Sequence, residues 1–146
     1  MSTRGPILEQ WIAQTIQSYP SAAVAFLSGE SDPFRNPVGH TVRQCLTVLF
    51  DQLHGEMDPG CIAPALDAII RLRAVQDLTP SQAAGFVFLL KPILRELAPE
   101  HDPVWFGERI DQLALMAFDK YMQCREQLAE IRLSESRRRL AYQGAG

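Results

Sequence analysis

Apolar side chains recur along this chain at intervals of three and four residues, a spacing that places them on one face of an α-helix. The first run lies within residues 7–16, and Pro20 ends it. The second run spans residues 38–53 and the third residues 62–72. The sequence contains no alternating runs bounded by turn residues, which would indicate β-strands. The pattern therefore predicts an all-α protein.

Four dipeptides mark the points where helices begin. Each places a short polar side chain, which can accept a hydrogen bond from a free N–H of the first turn, directly before a proline with a preset φ. Thr79 is also followed three residues later by Gln82, which is the spacing of a capping box. Because Pro64 follows closely in the third helix, we expect its regular part to begin a few residues after Pro59. The four pairs are Asn36-Pro37, Asp58-Pro59, Thr79-Pro80 and Asp102-Pro103.

The segment after Thr79 is apolar on most of its sides. Residues 80–97 include the run AAGFVFLL, and we expect them to form one helix, the central and most buried of the fold. Pro92 lies inside this segment and removes one backbone hydrogen bond, so we expect it to bend the helix.

The last helix begins at Pro103 and is long. If it continues to Leu140 it extends about 57 Å, whereas a domain of this size has a diameter of roughly 40 Å. We therefore expect residues 1–146 to form a single helical domain from which residues 120–140 protrude. Its aromatic side chains, Trp105 included, have the spacing of core residues.

A heptad-like step of apolar residues continues into the protruding part of the last helix. Such a step is typical of a seam between two helices, although the next two positions are Glu135 and Arg138. We interpret this seam as the dimer interface or output surface of the domain. Its residues are Tyr121, Cys124, Leu128 and Ile131.

Composition limits the possible functions of the chain. Its 146 residues are enough for one ordinary core, and its net charge of −3 argues against a nucleic-acid-binding body. The three cysteines are far apart and form no C-x-x-C pair, so we expect reduced, mostly buried thiols in a cytoplasmic protein. The uncharged residues 10–29 contain proline, tyrosine and several polar residues, so we expect no membrane span.

Convergent reactive groups, which an enzyme needs, do not appear in the sequence. His40 and His54 are about 21 Å apart along one predicted helix, too far to share a metal. The hydrolase, metalloprotease and phosphate-binding motifs are absent. We therefore expect no enzyme activity, no catalytic residue, no metal and no cofactor. Haem is an alternative because the chain has the size of a globin, but residues 55–100 contain no histidine to ligate the iron.

Two other motifs offer candidates for binding a ligand or partner. In RLRAVQD, residues 71–77, Arg71 and Arg73 end the third helix, either as a solvated helix end or as a contact for an anion or partner. In SDPFRNPVGH, residues 31–40, the helix cap explains Asn36 and Pro37 but leaves other side chains free to face the core, a dimer partner or a ligand. These candidates are Asp32, Phe34, Arg35 and His40.

Two stretches together resemble one protein family. YPSAAVAFLSGESDPFRNPVG (residues 19–39) and RLRAVQDLTPSQAAGFVFLLKPILREL (residues 71–97) are similar to the N-terminal sensory domain of the Rsb-type, RsbRD-like co-antagonist proteins of bacterial stressosomes. The motifs DPFxNPVG and RxRAVQDxTPSQA are fairly specific in combination. The resemblance implies a globin-like helical bundle without haem that dimerises and has an exit helix leading to a STAS domain. That exit helix corresponds in position to the last helix here.

We therefore expect a non-enzymatic signalling domain of a bacterial stress response, acting as a cytoplasmic homodimer on an unknown protein partner. The 146 residues contain no STAS domain, so we expect a stand-alone sensory or interaction domain. Two alternatives stay open. One is a haem- or small-ligand-binding globin-like sensor, and the other is an accessory subunit of a larger cytoplasmic complex.

Overall fold

All regular structure in the part of the chain described by the computed structural model is helical. The model describes residues 4–19, 36–76 and 78–145. The predicted all-α class is confirmed, and so is the long C-terminal helix. The elements are α1 (Arg4–Gln17), α2 (Pro37–His54), α3 (Pro59–Ala74), α4 (Pro80–Ala84), a 3₁₀-helix (Gly85–Leu89), α5 (Leu90–Leu97) and α6 (Pro103–Ala145).

The four predicted helix starts are confirmed. Helices α2, α3, α4 and α6 each begin at the proline of a pair, and the preceding side chain accepts a hydrogen bond from the first turn. The capping box is also present, since Gln82 Oε1 accepts from the Thr79 N–H at 2.9 Å. The donors to the capping side chains are Gly39 N to Asn36 (2.8 Å), Gly60 N to Asp58 (3.0 Å), Gln82 N to Thr79 (3.3 Å), and Val104 N and Trp105 N to Asp102 (3.0 and 3.2 Å).

The Thr79 cap can be tested by substitution. Thr79→Ala removes the hydroxyl that accepts from Gln82 N, and we expect it to lower the free energy of unfolding by about 1 kcal/mol in urea denaturation. Thr79→Ser keeps the hydroxyl and should stay within about 0.5 kcal/mol of the wild type. Equal losses in the two variants would assign the effect to the threonine methyl group and contradict the cap.

The predictions for two helix interiors were wrong. Regular α3 begins at Pro59 itself, because Asp58 caps this end, and Pro64 lies inside the helix. Residues 80–97 form three short segments instead of one bent helix. Pro92 is the third residue of α5, a position whose N–H has no acceptor within that helix, so proline is compatible with a new helix start there.

The core is organised around Trp11 of α1. Its ring is fully buried, with its centroid 6.4 Å from that of Phe50 on α2 and 6.3 Å from that of Phe86 in the 3₁₀-helix. Helix α3 packs against α2 and α6, and α1 packs against α2, α5 and the 3₁₀-helix. Three aromatic residues predicted to lie in the core are instead exposed on its outside, namely Phe88, Trp105 and Phe118.

Helix α6 has 43 residues and is therefore about 64 Å long. Its inner face packs on α3, α4 and the 3₁₀-helix. From residue 125 to residue 144 every side chain is exposed except Leu128, which is partly buried. Among the helices that the structure describes, none has the length and apolar character needed to cross a membrane.

Candidate functional site

A buried arginine holds the junction between α3 and α4. Arg73, in the last turn of α3, is 0% exposed. Its Nε donates to the Ala83 carbonyl at 2.7 Å, its Nη2 to the Gln82 carbonyl at 2.8 Å, and its Nη1 to Ser18 Oγ at 3.0 Å. The guanidinium therefore ties the end of α3 to α4 and to the residue that follows α1.

Two aromatic rings lie against the charge of Arg73. The guanidinium carbon is 5.1 Å from the ring centroid of Tyr19 and 5.2 Å from that of Phe86, within the range of cation–π contacts. Burial lowers the pKa of Arg73, but arginine titrates so far above neutrality that the group stays charged. Within the described residues its hydrogen-bond acceptors are two carbonyls and a hydroxyl, so dipoles and aromatic faces stabilise the charge.

Two more side chains donate to the backbone of the same region. Tyr121 Oη, on α6, donates to the Leu78 carbonyl at 2.8 Å, and Trp11 Nε1, on α1, donates to the Phe86 carbonyl at 2.8 Å. Helices α1, α3 and α6 thus each contribute a donor to the backbone between residues 78 and 86. Tyr121 therefore links this segment directly to α6.

The structure separates the two arginines of the RLRAVQD motif. Arg71 is exposed, and its Nε donates to Asp67 Oδ2 at 2.9 Å, one turn earlier on α3. Arg73 is part of the core, so it is neither a solvated helix end nor a surface contact, and both predicted roles are wrong for it. His40 is exposed on α2. The other candidates from the SDPFRNPVGH motif lie outside the described residues, namely Asp32, Phe34 and Arg35.

The predicted seam on α6 divides into two parts. Tyr121 is 2% exposed and Cys124 is 5% exposed, because both pack into the core of their own chain. Leu128 is only partly buried, and Ile131 is 54% exposed. Of the four seam residues, only Leu128 and Ile131 offer side-chain surface to a second molecule.

A second apolar stripe runs along α6 on the side that faces away from the core. At about 100° per residue, its six side chains project within roughly 40° of one direction. All are exposed, by 40% to 69%, and they span about 54 Å of helix. Exposed apolar side chains aligned on a helix face that does not pack on the core are typical of an interaction surface. This outer stripe consists of Val104, Leu115, Phe118, Met122, Leu133 and Leu140.

Charges of opposite sign flank the outer stripe over residues 125–132 of α6. By the same projection, Glu126 and Glu130 lie on one flank, and Arg125 and Arg132 lie on the other at similar heights. All four side chains are exposed. The helix therefore presents an acidic edge, an apolar stripe and a basic edge side by side.

Two histidines that are distant in sequence come together beneath α6. The ring centroids of His54 and His101 are 6.3 Å apart, and each lies 4.9 Å from the centroid of Phe106. Sequence analysis compared His54 only with His40, on the same helix, and missed this contact. Within the described residues no group of three or more histidine, cysteine, aspartate or glutamate side chains could hold a metal ion.

Comparison with protein families decides the assignment. Residues 5–136 match the family described as "RsbT co-antagonist protein rsbRD N-terminal domain". The chain belongs to this family. It is therefore a signalling domain of the stressosome co-antagonist type, as the resemblance implied. No curated protein and no solved structure is significantly similar to the chain.

One of the two motifs that carry the resemblance of this rsbRD N-terminal domain lies at the buried junction. In RLRAVQDLTPSQA, Arg73 is the central donor, Thr79 caps α4, and Gln82 both completes the capping box and accepts from Arg73. Tyr19, which begins the other stretch, lies against the guanidinium. This motif and Tyr19 therefore meet at the α3–α4 junction.

The outer stripe of this rsbRD N-terminal domain was missed because the search for periodicity followed the core face. The sequence does carry a signal for it. Val104 and Leu115 are eleven residues apart, as are Met122 and Leu133, and eleven residues make three turns of a nearly straight helix. A second set of apolar residues at this spacing, opposite the first, predicts a helix packed on two sides.

Proposed function

We propose that this rsbRD N-terminal domain is a non-enzymatic cytoplasmic signalling module that works as a parallel homodimer. In this proposal the chain is one globin-like helical unit, and residues 120–140 of α6 extend from it towards a protein partner. The observation that carries the proposal is the outer stripe. The helix that bears it also forms part of the core, so dimer contact and core packing meet in one element.

The exposure of the C-terminal end of α6 favours a second helix that packs against it. In proteins most helical stability comes from packing of an apolar face and not from intrinsic propensity. Residues 125–144 receive almost no such packing from their own chain. Leu133 and Leu140 of the outer stripe lie in this part and supply the apolar contacts for a second helix.

The charged flanks support the parallel arrangement. When two identical helices pack in parallel about a two-fold axis, the left flank of one meets the right flank of the other. The acidic edge with Glu126 and Glu130 then faces the basic edge with Arg125 and Arg132. An antiparallel pair would instead place like charges together.

Signal transmission would use the contacts of α6 with the body of the domain. Tyr121 links α6 to the backbone that precedes α4, and Arg73 holds that backbone on its other side. A change in the packing of the α3–α4 junction therefore moves α6 relative to its partner helix. Interfaces of this kind respond to small shifts because they have discrete packing arrangements.

Shortening α6 tests this proposal. Tyr121 and Cys124 are core residues, so the chain should end after Ala129, which removes the exposed end and leaves the core intact. Losing Leu133 and Leu140 from the interface is expected to raise the dimer dissociation constant roughly 10- to 100-fold. Sedimentation equilibrium measures this constant, and near-UV circular dichroism checks that the core is unchanged.

Two results would contradict the proposal. One is a full-length chain that stays monomeric at every concentration, and the other is a shortened chain that dimerises as tightly as the full chain. A dimer that is abolished together with the near-UV signal of the core would show that the end of α6 supports folding instead of association.

A further inference from the structure

A cavity of about 410 Å³ lies between α5 and the first two turns of α6. Its volume falls within the range of small-molecule sites, roughly 300–1,000 Å³. The cavity is lined mainly by apolar side chains from both helices and the turn that joins them. Four of these side chains are at least nine-tenths buried and form the floor, namely Leu94, Ala98, Phe106 and Ile110.

One cation at the rim of this cavity is left without a counter-charge. Lys91 forms an ion pair with Asp111 at 2.7 Å, and the Asp102 carboxylate accepts two N–H groups of the α6 N-terminus. Among the residues that the structure describes, Arg95 has no ion-pair or hydrogen-bond partner. Its guanidinium is thus available to a bound anion, whose carboxylate it matches with two parallel hydrogen bonds.

A glycine keeps the cavity open. Gly107 lies inside α6, where glycine is less favourable than alanine by roughly a factor of five in helix stability. A Cβ built at this position meets no atom within 4 Å, so neighbouring packing does not require glycine. Because Gly107 lines the cavity, a larger side chain there would enter the space that a ligand needs.

We propose that this cavity binds a small carboxylic acid with an apolar body, the carboxylate on Arg95 and the body on the apolar floor. The single unpaired cation favours a monoanion over a phosphate, which would carry a second charge with nothing to neutralise it. The site touches α6 through Phe106 and Ile110. The proposal concerns binding alone and does not depend on the dimer.

Three probes separate the apolar and charged contributions. We would titrate the full-length, ¹⁵N-labelled protein with octanoate, with 1-octanol and with acetate, and follow the amide resonances of residues 91–110. Octanoate should shift these resonances in a saturable manner. Octanol, which lacks the charge, should bind roughly 10- to 100-fold more weakly, and acetate, which lacks the body, should bind too weakly to saturate.

Two variants and their controls locate the site. Arg95→Gln should weaken the binding of octanoate roughly 10- to 100-fold, so that its affinity becomes similar to that of octanol. Arg132→Gln, which removes an exposed arginine elsewhere, should leave octanoate binding unchanged. Gly107→Leu should abolish binding of both octanoate and octanol by filling the cavity. Gly5→Leu, at another helical glycine with open space around it, should not affect binding.

The proposal is overturned if octanoate shifts no resonance of residues 91–110, or if it binds Arg95→Gln as tightly as the wild type. It is equally overturned if Gly107→Leu, shown to be folded by its amide spectrum, retains the wild-type affinity. Shifts confined to the outer stripe would mean that octanoate binds the exposed apolar face instead.

Discussion

Replacing Arg73 with methionine is expected to lower the free energy of unfolding by about 3–5 kcal/mol. Methionine retains much of the side-chain volume, so the loss comes mainly from hydrogen bonds. The Ala83 carbonyl would lose its side-chain donor in a buried setting and the Gln82 carbonyl in a partly buried one, and an unsatisfied buried group costs about 1–3 kcal/mol. Domains of this size are stable by only about 5–15 kcal/mol. Urea denaturation should therefore show a large fall in the unfolding midpoint.

Arg71→Met is the matched control for this variant. Arg71 lies two residues earlier on the same helix, carries the same charge and is exposed, with one ion pair to Asp67 within the helix. Such an exposed pair contributes little to stability because solvent screens it. We expect the control to leave the urea midpoint close to that of the wild type.

A conservative variant distinguishes charge from geometry at Arg73. Arg73→Lys keeps the positive charge, but a single ammonium group cannot reproduce the three directions in which the guanidinium donates. It should therefore recover only part of the stability lost in Arg73→Met. A lysine variant as stable as the wild type, or an Arg73→Met no less stable than Arg71→Met, would contradict the role assigned to this arginine.

The helix starts could be predicted from sequence because they depend on local chemistry. A cap such as Asn36 and the following Pro37 act within one turn of backbone, and all four such pairs form helix starts in the structure. The break in residues 80–97 was harder to predict. It depends on donors from other helices, since Trp11 and Arg73 satisfy carbonyls of this segment from a distance in sequence.

The spacing of apolar residues in α3 indicates that residue 73 is buried, but the charge of an arginine favours an exposed helix end. Ile62, Leu66 and Ile69 are spaced four and three residues apart, and the next position of this buried stripe is residue 73. An arginine there was assigned to the helix end because cations suit that position. The acceptors that make its burial possible belong to Gln82, Ala83 and Ser18, and local pattern gives no information on such tertiary partners.

Placing glutamate at both Phe118 and Met122 is expected to raise the dimer dissociation constant by at least about 100-fold. These residues lie one turn apart in the middle of the outer stripe and are 41% and 40% exposed. In the proposed dimer each variant helix would bring two charges into an apolar interface opposite two like charges. Glutamate is a good helix former, so α6 itself should persist. Sedimentation equilibrium measures the constant.

The control for this variant adds the same charge to another side of the helix. Gln127→Glu combined with Ser134→Glu introduces two carboxylates at exposed positions about 120–140° from the centre of the stripe. We expect the control to dimerise as the wild type does. If both double variants dimerise equally well, the outer stripe is not the interface.

Variants of the charged flanks test whether the two helices are parallel or antiparallel. Replacing Glu126 and Glu130 with lysine makes both edges basic, so a parallel dimer should be weakened, whereas an antiparallel dimer already pairs like edges and should change little. Adding Arg125→Glu and Arg132→Glu to that variant exchanges the two edges and should restore the parallel dimer.

The salt dependence of dimerisation is an independent test of the orientation. Screening by salt weakens a dimer whose charged edges attract each other and strengthens one whose edges repel each other. A wild-type dimer that tightens as salt is raised would therefore favour the antiparallel arrangement and contradict the parallel one.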